Sequence, residues 1–334
     1  MKITNVTGIS LPLAVWLVHD EYDYQTIPNH FSVTTLMKPL RHIILTPRVD
    51  QTETSIDLEE FIARAMGKSL HDSIEKAWTQ SHDTAMKMLG YPQSVIERVL
   101  VNPTWEELDA KPGALPVYLE QRAFRKITVN GTEYTISGKF DLVADGIPQD
   151  NKSTSAWSWV FGTKDYDYAL QMSMYDWLDA AQPRRKITSP FGQINFIFTD
   201  WNKAQARSNP KYPKSRVASK ELPLLAELDV EEFIIDKLKL IQEYKDAPEN
   251  EIPECSDEEL WRSDPVFKYY ADPAKANQPG SRSTRNFTSL SEAEAFRTEK
   301  RGVGTVVTVP GEPKRCSYCT AAPLCSQREK FAST

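Results

Sequence analysis

The sequence predicts an α/β fold built on a mixed central sheet, and three observations carry that prediction. Residues 116–129, 133–144 and 147–152 read as consecutive extended segments, the last two meeting at Asp145-Gly146. That dipeptide tolerates the positive φ of a tight hairpin turn. Amphipathic helical patterns lie on both sides, one starting near Asp57 and another covering about 166–181. INFIFTDW at 194–201 then supplies a short apolar run of the kind found in buried strands. The order helix, three strands, helix, strand favours a layered α/β arrangement over separate all-α and all-β parts.

Taken in order, the chain opens with a ten-residue apolar run interrupted by Pro12, without a basic-rich lead or a small-residue cleavage site. We read neither a signal peptide nor a membrane span there, and expect a cytoplasmic protein with its four cysteines reduced or bound to metal. RHIILTPRV at 41–49 reads as a strand. Asp57-x-x-Glu60 is a capping signature, followed by a stripe of Leu58, Phe61, Ile62 and Ala65. Leu70, Ile74, Ala77 and Trp78 continue the stripe after a shift near Gly67. A further helix from Asp229 buries Val230, Phe233, Ile234, Leu238 and Ile241. Beyond about 246 periodicity fades while proline and charge rise. These shifts divide the chain into a segment 1–54 packing on the core, a core at 55–248 and a C-terminal subdomain at 249–334. The formal net charge of −6 argues against nonspecific coating of nucleic acid but leaves room for a local basic groove.

Residues 138–154, GKFDLVADGIPQDNKST, hold the chemistry. Alternation puts Phe140, Leu142 and Ala144 on one side of a strand and Asp141 on the other. In the next strand Asp150 and Lys152, two apart, share a face. Mg²⁺ takes hard oxygen ligands, so Asp141, Asp150 and the backbone carbonyl of Asn151 form a candidate site, with Lys152 available to phosphate charge. By themselves these residues would equally suit a solvated hairpin. Around them stand Gln171 and Tyr175, four apart on one helical face, His71 within the first long helix, and Glu120 in an extended segment.

Together His71, Glu120, Gly138-x-x-Asp141, Asp150-x-Lys152 and Gln171-x-x-x-Tyr175 resemble the PD-(D/E)xK nuclease superfamily, within it the RecB/Cas4-like branch. The likeness covers about residues 57–200 in order and spacing. It implies a restriction-endonuclease-like core with Asp141 and Asp150 as ligands of Mg²⁺ or Mn²⁺ and His71 as a further ligand. It also implies a catalytic Lys152, an assisting Glu120, and Gln171 and Tyr175 facing DNA or supporting the metal shell.

Cys316-x-x-Cys319-x₅-Cys325 is dense, and Cys255 alone remains to complete a set of four. Both zinc and a 4Fe–4S cluster take four thiolates. The arrangement resembles the iron–sulfur nucleases of the same branch, which favours the cluster, with Zn²⁺ as second choice. In those relatives the lone cysteine precedes the core, whereas Cys255 follows it. The ELWR and RCSYC segments resemble phage-encoded members, for which the compartment would be the host cytoplasm.

Residues 201–220 carry six lysines and arginines and no acidic residue. Lys203, Arg207, Lys211, Lys214 and Arg216 are candidate phosphate contacts, with Trp201 and Tyr212 as candidate stacking platforms. A solvated loop fits the same composition. The expected function is metal-dependent hydrolysis of DNA, single-stranded or at duplex ends, in recombination, repair or replication, with protein partners in those processes. The alternative is a noncatalytic DNA-binding or scaffold protein with a degenerate nuclease fold and a structural zinc.

Overall fold

The computed structural model describes residues 2–332 apart from Gln51, Glu53 and Pro279. The chain divides into two compact units, 1–37 with 50–240, and 38–49 with 241–334. These bounds differ from the expected ones, because residues 38–49 belong with the C-terminal part and not with the core.

In chain order, the first unit opens with β1 (Lys2–Thr4), α1 (Leu11–Val18), β2 (His30–Ser32) and α2 (Val33–Leu36). After α3 (Leu40–Leu45), which belongs to the second unit, come β3 (Ser55–Asp57) and α4 (Ile62–Met88). The Asp57/Glu60 capping box is present, and it opens a 3₁₀ turn at Leu58–Phe61 that leads into α4. Gly67 does not break α4; the kink falls at Ser81, whose φ and ψ are non-helical. Then follow α5 (Gln93–Ile96), β4 (Val99–Val101), α6 (Trp105–Ala110), β5 (Leu115–Val129), β6 (Thr132–Ala144) and β7 (Ile147–Thr154). α7 (Ala156–Phe161), α8 (Asp165–Ala180), β8 (Phe191–Phe198), α9 (Lys203–Ser208), β9 (Val217–Pro223) and α10 (Glu227–Tyr244) complete the run.

The central sheet has the order β4-β5-β6-β7-β8-β9, with β2 paired to β6. It is mixed: β4/β5, β7/β8 and β2/β6 are parallel, and the remaining neighbours antiparallel. Asp145 and Gly146 both adopt positive φ, so the β6–β7 hairpin closes in two residues as their chemistry predicts. α8 packs on this sheet through Met172, against Ile194 and Phe196. The approach is close at Gly138, where a Cβ would stand 2.7 Å from the Tyr175 ring and 2.9 Å from Leu178. Gly138→Ala is therefore expected to destabilise the fold by about 1–3 kcal/mol, because neither a buried ring nor a buried leucine yields cheaply. Urea unfolding of wild type and variant measures this, and an unchanged midpoint would contradict it.

In the second unit, 41–49 is not the expected strand. α3 is a short helix buried nearly all round, through Leu40, Arg41, Ile43, Ile44 and Leu45. A continuous apolar run cannot be assigned to strand or helix by periodicity, and Pro39 and Pro47 confine it to one turn and a half. The stretch that lacked a readable pattern contains a three-stranded antiparallel sheet, β11 (Arg285–Phe287), β10 (Val266–Tyr270) and β12 (Thr305–Val309). α11 (Leu290–Glu299) covers it, Phe296 meeting the rings of Tyr269 and Phe287 at 5.1 and 5.3 Å. α12 (Ser326–Ala332) closes the described chain.

Candidate metal centre and cysteine site

The acidic centre arises where the sheet forks. β6 and β7 pair at Ala144/Ile147, Val143/Pro148 and Leu142/Gln149, and the ladder ends there. Its next pair would be Asp141 with Asp150. From Gln149 onward β7 pairs instead with β8, while β2 takes the outer edge of β6 at Thr135–Ser137. Pro148 thus sits within the hairpin, before β7 acquires its second neighbour. Across from Asp141 on β5, Glu120 has φ 52° and drops out of a ladder that resumes on both sides. A non-glycine residue held there costs on the order of 1 kcal/mol or more, a strain of the kind concentrated at functional sites.

Four elements, α4, β5, β6 and β7, bring side chains to the fork. His71 from α4 places Nδ1 3.2 Å from Asp141 and 3.9 Å from Glu120, with Nε2 3.1 Å from the Asn151 carbonyl. The ligand atoms of His71, Glu120 and Asp141 all lie within 4.8 Å of one another. The Asn151 amide donates to Asp141 Oδ2 at 3.3 Å, filling the place of the missing strand pair. Asp150 turns toward Lys152, whose Nζ lies 3.0 and 2.7 Å from its two oxygens. Glu120 is half-buried and paired with Lys139 at 2.6 Å.

Charge is expensive in this fork. Burial pushes the Asp150 carboxyl up to about 6, opposed by Lys152 and reinforced by Asp141. One of its oxygens, Oδ2, is buried and makes no hydrogen bond of good geometry despite its nearness to the Lys152 ammonium. Burial disfavours the Lys152 charge, yet Asp150 and Asp141 together hold its pKa above the ordinary value. Asp141 and Glu120 raise His71 to about 10 against burial, so an imidazolium occupies the space between the carboxylates. The donor set fits a hard divalent cation: the Asp141 and Glu120 carboxylates converge with His71, the Asn151 carbonyl stands beside the imidazole, and Asp150 adds a buried carboxylate that faces the Lys152 ammonium. Such a cation would compete with the His71 proton for the same oxygens.

Gln171 and Tyr175 do meet, Nε2 donating to the hydroxyl at 2.8 Å. Tyr175 is buried and T-stacked on Phe140 at 6.5 Å, and burial beside Asp150 and Asp141 raises its pKa. It braces the floor of the centre. Tyr168 was not among the expected residues; its ring lies 5.8 Å from Lys152 Nζ, and its signal was only one more aromatic on the Gln171 helix.

The basic segment needs two corrections. Tyr212 is buried, its hydroxyl accepting from Asn202 N and donating to the Asp200 carbonyl, and Trp201 donates to the Pro213 carbonyl. Both rings hold the loop in place, and the buried Tyr212 is not a stacking platform. Lys214 donates to the carbonyls of Ala206 and Asn209 at the end of α9. Lys203, Arg207, Lys211 and Arg216 are exposed.

In the second unit the four cysteines are free thiols, each half-buried. Burial pushes Cys255 up to about 12, with Glu259, Cys325 and Cys319 adding to the shift. Burial and the neighbouring thiols also raise Cys316 and Cys319. The four therefore influence one another, although among the described residues no three sulfurs lie within 4.8 Å of one another. Four sulfurs on one zinc would stand ~3.8 Å apart, given bonds near 2.3 Å in a tetrahedron. Sequence reasoning missed what faces them: Arg41 Nε donates to Cys325 Sγ at 3.2 Å, and His42 Nδ1 lies 3.4 Å from Cys319 Sγ. The buried Arg41 guanidinium also reaches the carbonyls of Glu249 and Ile252 and the Glu249 carboxylate. Burial holds His42 down to about 4.

Fold and site together define an α/β protein with a mixed central sheet and an acidic centre at its fork. No protein-family model matches the chain, and no curated protein matches it. A solved chain described as "Crystal structure of SSO0001" is similar over 71% of this chain and 87% of that one, at 16% identity and a TM-score of 0.43. A likeness at that level carries no argument about function. Among the described residues no helix is long and apolar enough to cross a membrane.

Proposed function

We propose that the chain is a metal-dependent deoxyribonuclease with a restriction-endonuclease-like core and a cysteine-ligated C-terminal subdomain. The observation that carries this reading is the fork itself. It brings the Asp141 and Glu120 carboxylates together with His71 and the Asn151 carbonyl, and on β7 it pairs the buried Asp150 carboxylate with a lysine kept charged. Mg²⁺ or Mn²⁺ held by those oxygens would act as a Lewis acid toward water and phosphate. The residues themselves do the rest. Asp150 keeps the Lys152 ammonium oriented, so its charge meets the nonbridging oxygens as negative charge accumulates on phosphorus. Water forms the new P–O bond, the P–O bond to the leaving sugar breaks, and the departing oxygen takes up a proton. Tyr175 and Gln171 keep the β6 side of the fork from relaxing.

The four thiols, Cys255 with Cys316, Cys319 and Cys325, would hold a 4Fe–4S cluster, with a single zinc as second choice. Arg41 offsets part of the thiolate charge through its N–H bond to Cys325.

The direct test is Mg²⁺-dependent release of nucleotides from end-labelled single-stranded, blunt and circular DNA. Retained DNA binding without any cleavage would replace the enzyme with a noncatalytic binding protein. Neutralising Lys203, Arg207, Lys211 and Arg216 together should also flatten the salt dependence of binding. The log–log slope should fall by about 0.7–0.9 for each lost phosphate contact. An unchanged slope returns the segment to plain solvent exposure. Lys214 is left intact because it closes α9.

A further inference from the structure

We propose that Trp157 and Phe161 form a stacking platform for an unpaired nucleobase beside the acidic centre. This deepens the nuclease reading and rests on it for the identity of the ligand. The two side chains sit four apart on α7, with ring centroids 5.9 Å apart and planes at 26°. Phe161 is 68% exposed and Trp157 40% exposed, a large apolar surface for a helix of six residues. Neither ring is loose. Asp200 accepts from Ser155 Oγ and from the Ala156 amide, fixing the start of α7. Gly162, in the left-handed region, ends it, and Tyr212 abuts Trp157 edge-on at 5.6 Å. Trp159, on the same helix, does what a packing aromatic does, meeting Phe196 and Phe198 edge-on. Trp157 and Phe161 face outward instead.

Charge selects the occupant. The ring that touches Trp157 belongs to Tyr212, whose neighbour Lys211 is exposed and lies in the segment of six basic and no acidic residues. The nearby carboxylate of Asp165 is already paired with Lys220. An apolar, electron-rich pair of rings that touches a segment with exposed Lys203, Arg207, Lys211 and Arg216 suits a base attached to a phosphate backbone better than an apolar protein surface. Position agrees. α7 continues directly from β7, and Ser155 follows Lys152 by three residues, roughly 10 Å of extended chain. A base on the platform would lie within a few nucleotides of a phosphate at the fork. Every base has a π-face, so the platform would select unpaired strands without selecting sequence.

The experiment measures binding without cleavage, using fluorescein-labelled oligothymidylate and a blunt duplex in Ca²⁺. Trp157→Ala and Phe161→Ala are each expected to weaken single-strand binding about ten- to a hundredfold. Duplex affinity should change much less, and Trp157→Phe should recover most of the loss. Single abasic sites walked along the oligonucleotide should weaken wild-type binding at one or two positions, and those penalties should vanish in Trp157→Ala. Equal losses on duplex and single strand, or abasic penalties that persist in the variant, would overturn the platform. Circular dichroism shows that each variant is folded, and Phe161→Ala, at the more exposed ring, decides the matter by the same abasic walk if Trp157→Ala is not. Abasic penalties that are present in wild type and vanish in Trp157→Ala, in a protein that never cleaves DNA, would sink the nuclease reading alone. Cleavage without that coupling would sink this proposal alone.

Discussion

Mg²⁺-dependent cleavage should fall at least about 10²–10³-fold in Asp141→Asn, Asp150→Asn and Lys152→Ala, each for a separable reason. In the proposed centre Asp141 and Asp150 would supply oxygens to the cation, so their amide variants should also lose Mn²⁺ binding, read by calorimetry. Lys152 touches Asp150 and no other candidate ligand, so Lys152→Ala should keep most Mn²⁺ affinity while losing turnover. Glu120→Gln should be milder, because that carboxylate is already engaged by Lys139. Wild-type rates in Asp141→Asn or Lys152→Ala would refute the centre.

Metal-free stability gives the same residues an independent readout. A carboxyl whose folded pKa is raised stabilises the fold fully below its unfolded value of 3.8 and loses that contribution as pH rises through about 6. For Asp150 the difference amounts to on the order of 3 kcal/mol. Asp150→Asn lacks the group, so at neutral pH the metal-free variant should match or exceed wild type. Lowering the pH from 7.5 to 5 should then favour wild type progressively. Lys152 limits the gain at neutral pH, since the variant deprives its ammonium of a partner, although its partial exposure lets water replace Asp150. Urea midpoints at several pH values measure both effects, and a pH-independent difference would remove the pKa argument.

Much of the centre was legible because it depends on short-range rules. A two-residue period places Asp150 and Lys152 together, Asp145-Gly146 fixes the hairpin, and a four-residue period joins Gln171 to Tyr175. What was not legible comes from the third dimension. Nothing local in VYLEQRAF announces that Glu120 will leave its ladder at positive φ opposite Asp141. The fork exists because β7 leaves β6 for β8, a choice made by Ile194 and Phe196 on a strand more than forty residues away. Tyr212 looked like a stacking residue because composition reports the charge around a ring but not whether the ring is buried. α3 was misread for a related reason: an apolar run buried all round has no polar face to reveal its period. Its membership of the second unit follows from Arg41, a buried cation whose partners lie more than two hundred residues away.

The second large effect is expected at the cysteines. Among the described residues the second unit buries few large side chains for its length, Leu40, Ile43, Ile44, Leu45, Val49, Ile241, Ile252, Leu260, Tyr269 and Tyr270 being the main ones. On the proposed reading such a unit would gain much of its stability from a metal staple, as zinc-finger peptides do from structural zinc at about 10–16 kcal/mol of apparent binding energy. Protein purified without oxygen should therefore be brown and hold about four irons per chain. Cys319→Ser or Cys325→Ser should lose that iron, lower the first thermal transition, and open 241–332 to limited proteolysis. Arg41→Met should show the other side of the same site. It removes the N–H bond to Cys325 and the tie to Glu249 while leaving all four sulfurs in place, so iron should still bind but less tightly. Iron content by mass spectrometry and the 400-nm band report loading, and proteolysis reports the fold. Colourless anaerobic protein carrying one zinc per chain would overturn the iron assignment and leave the staple. A Cys325→Ser variant with unchanged metal content and unchanged proteolysis would remove the staple as well.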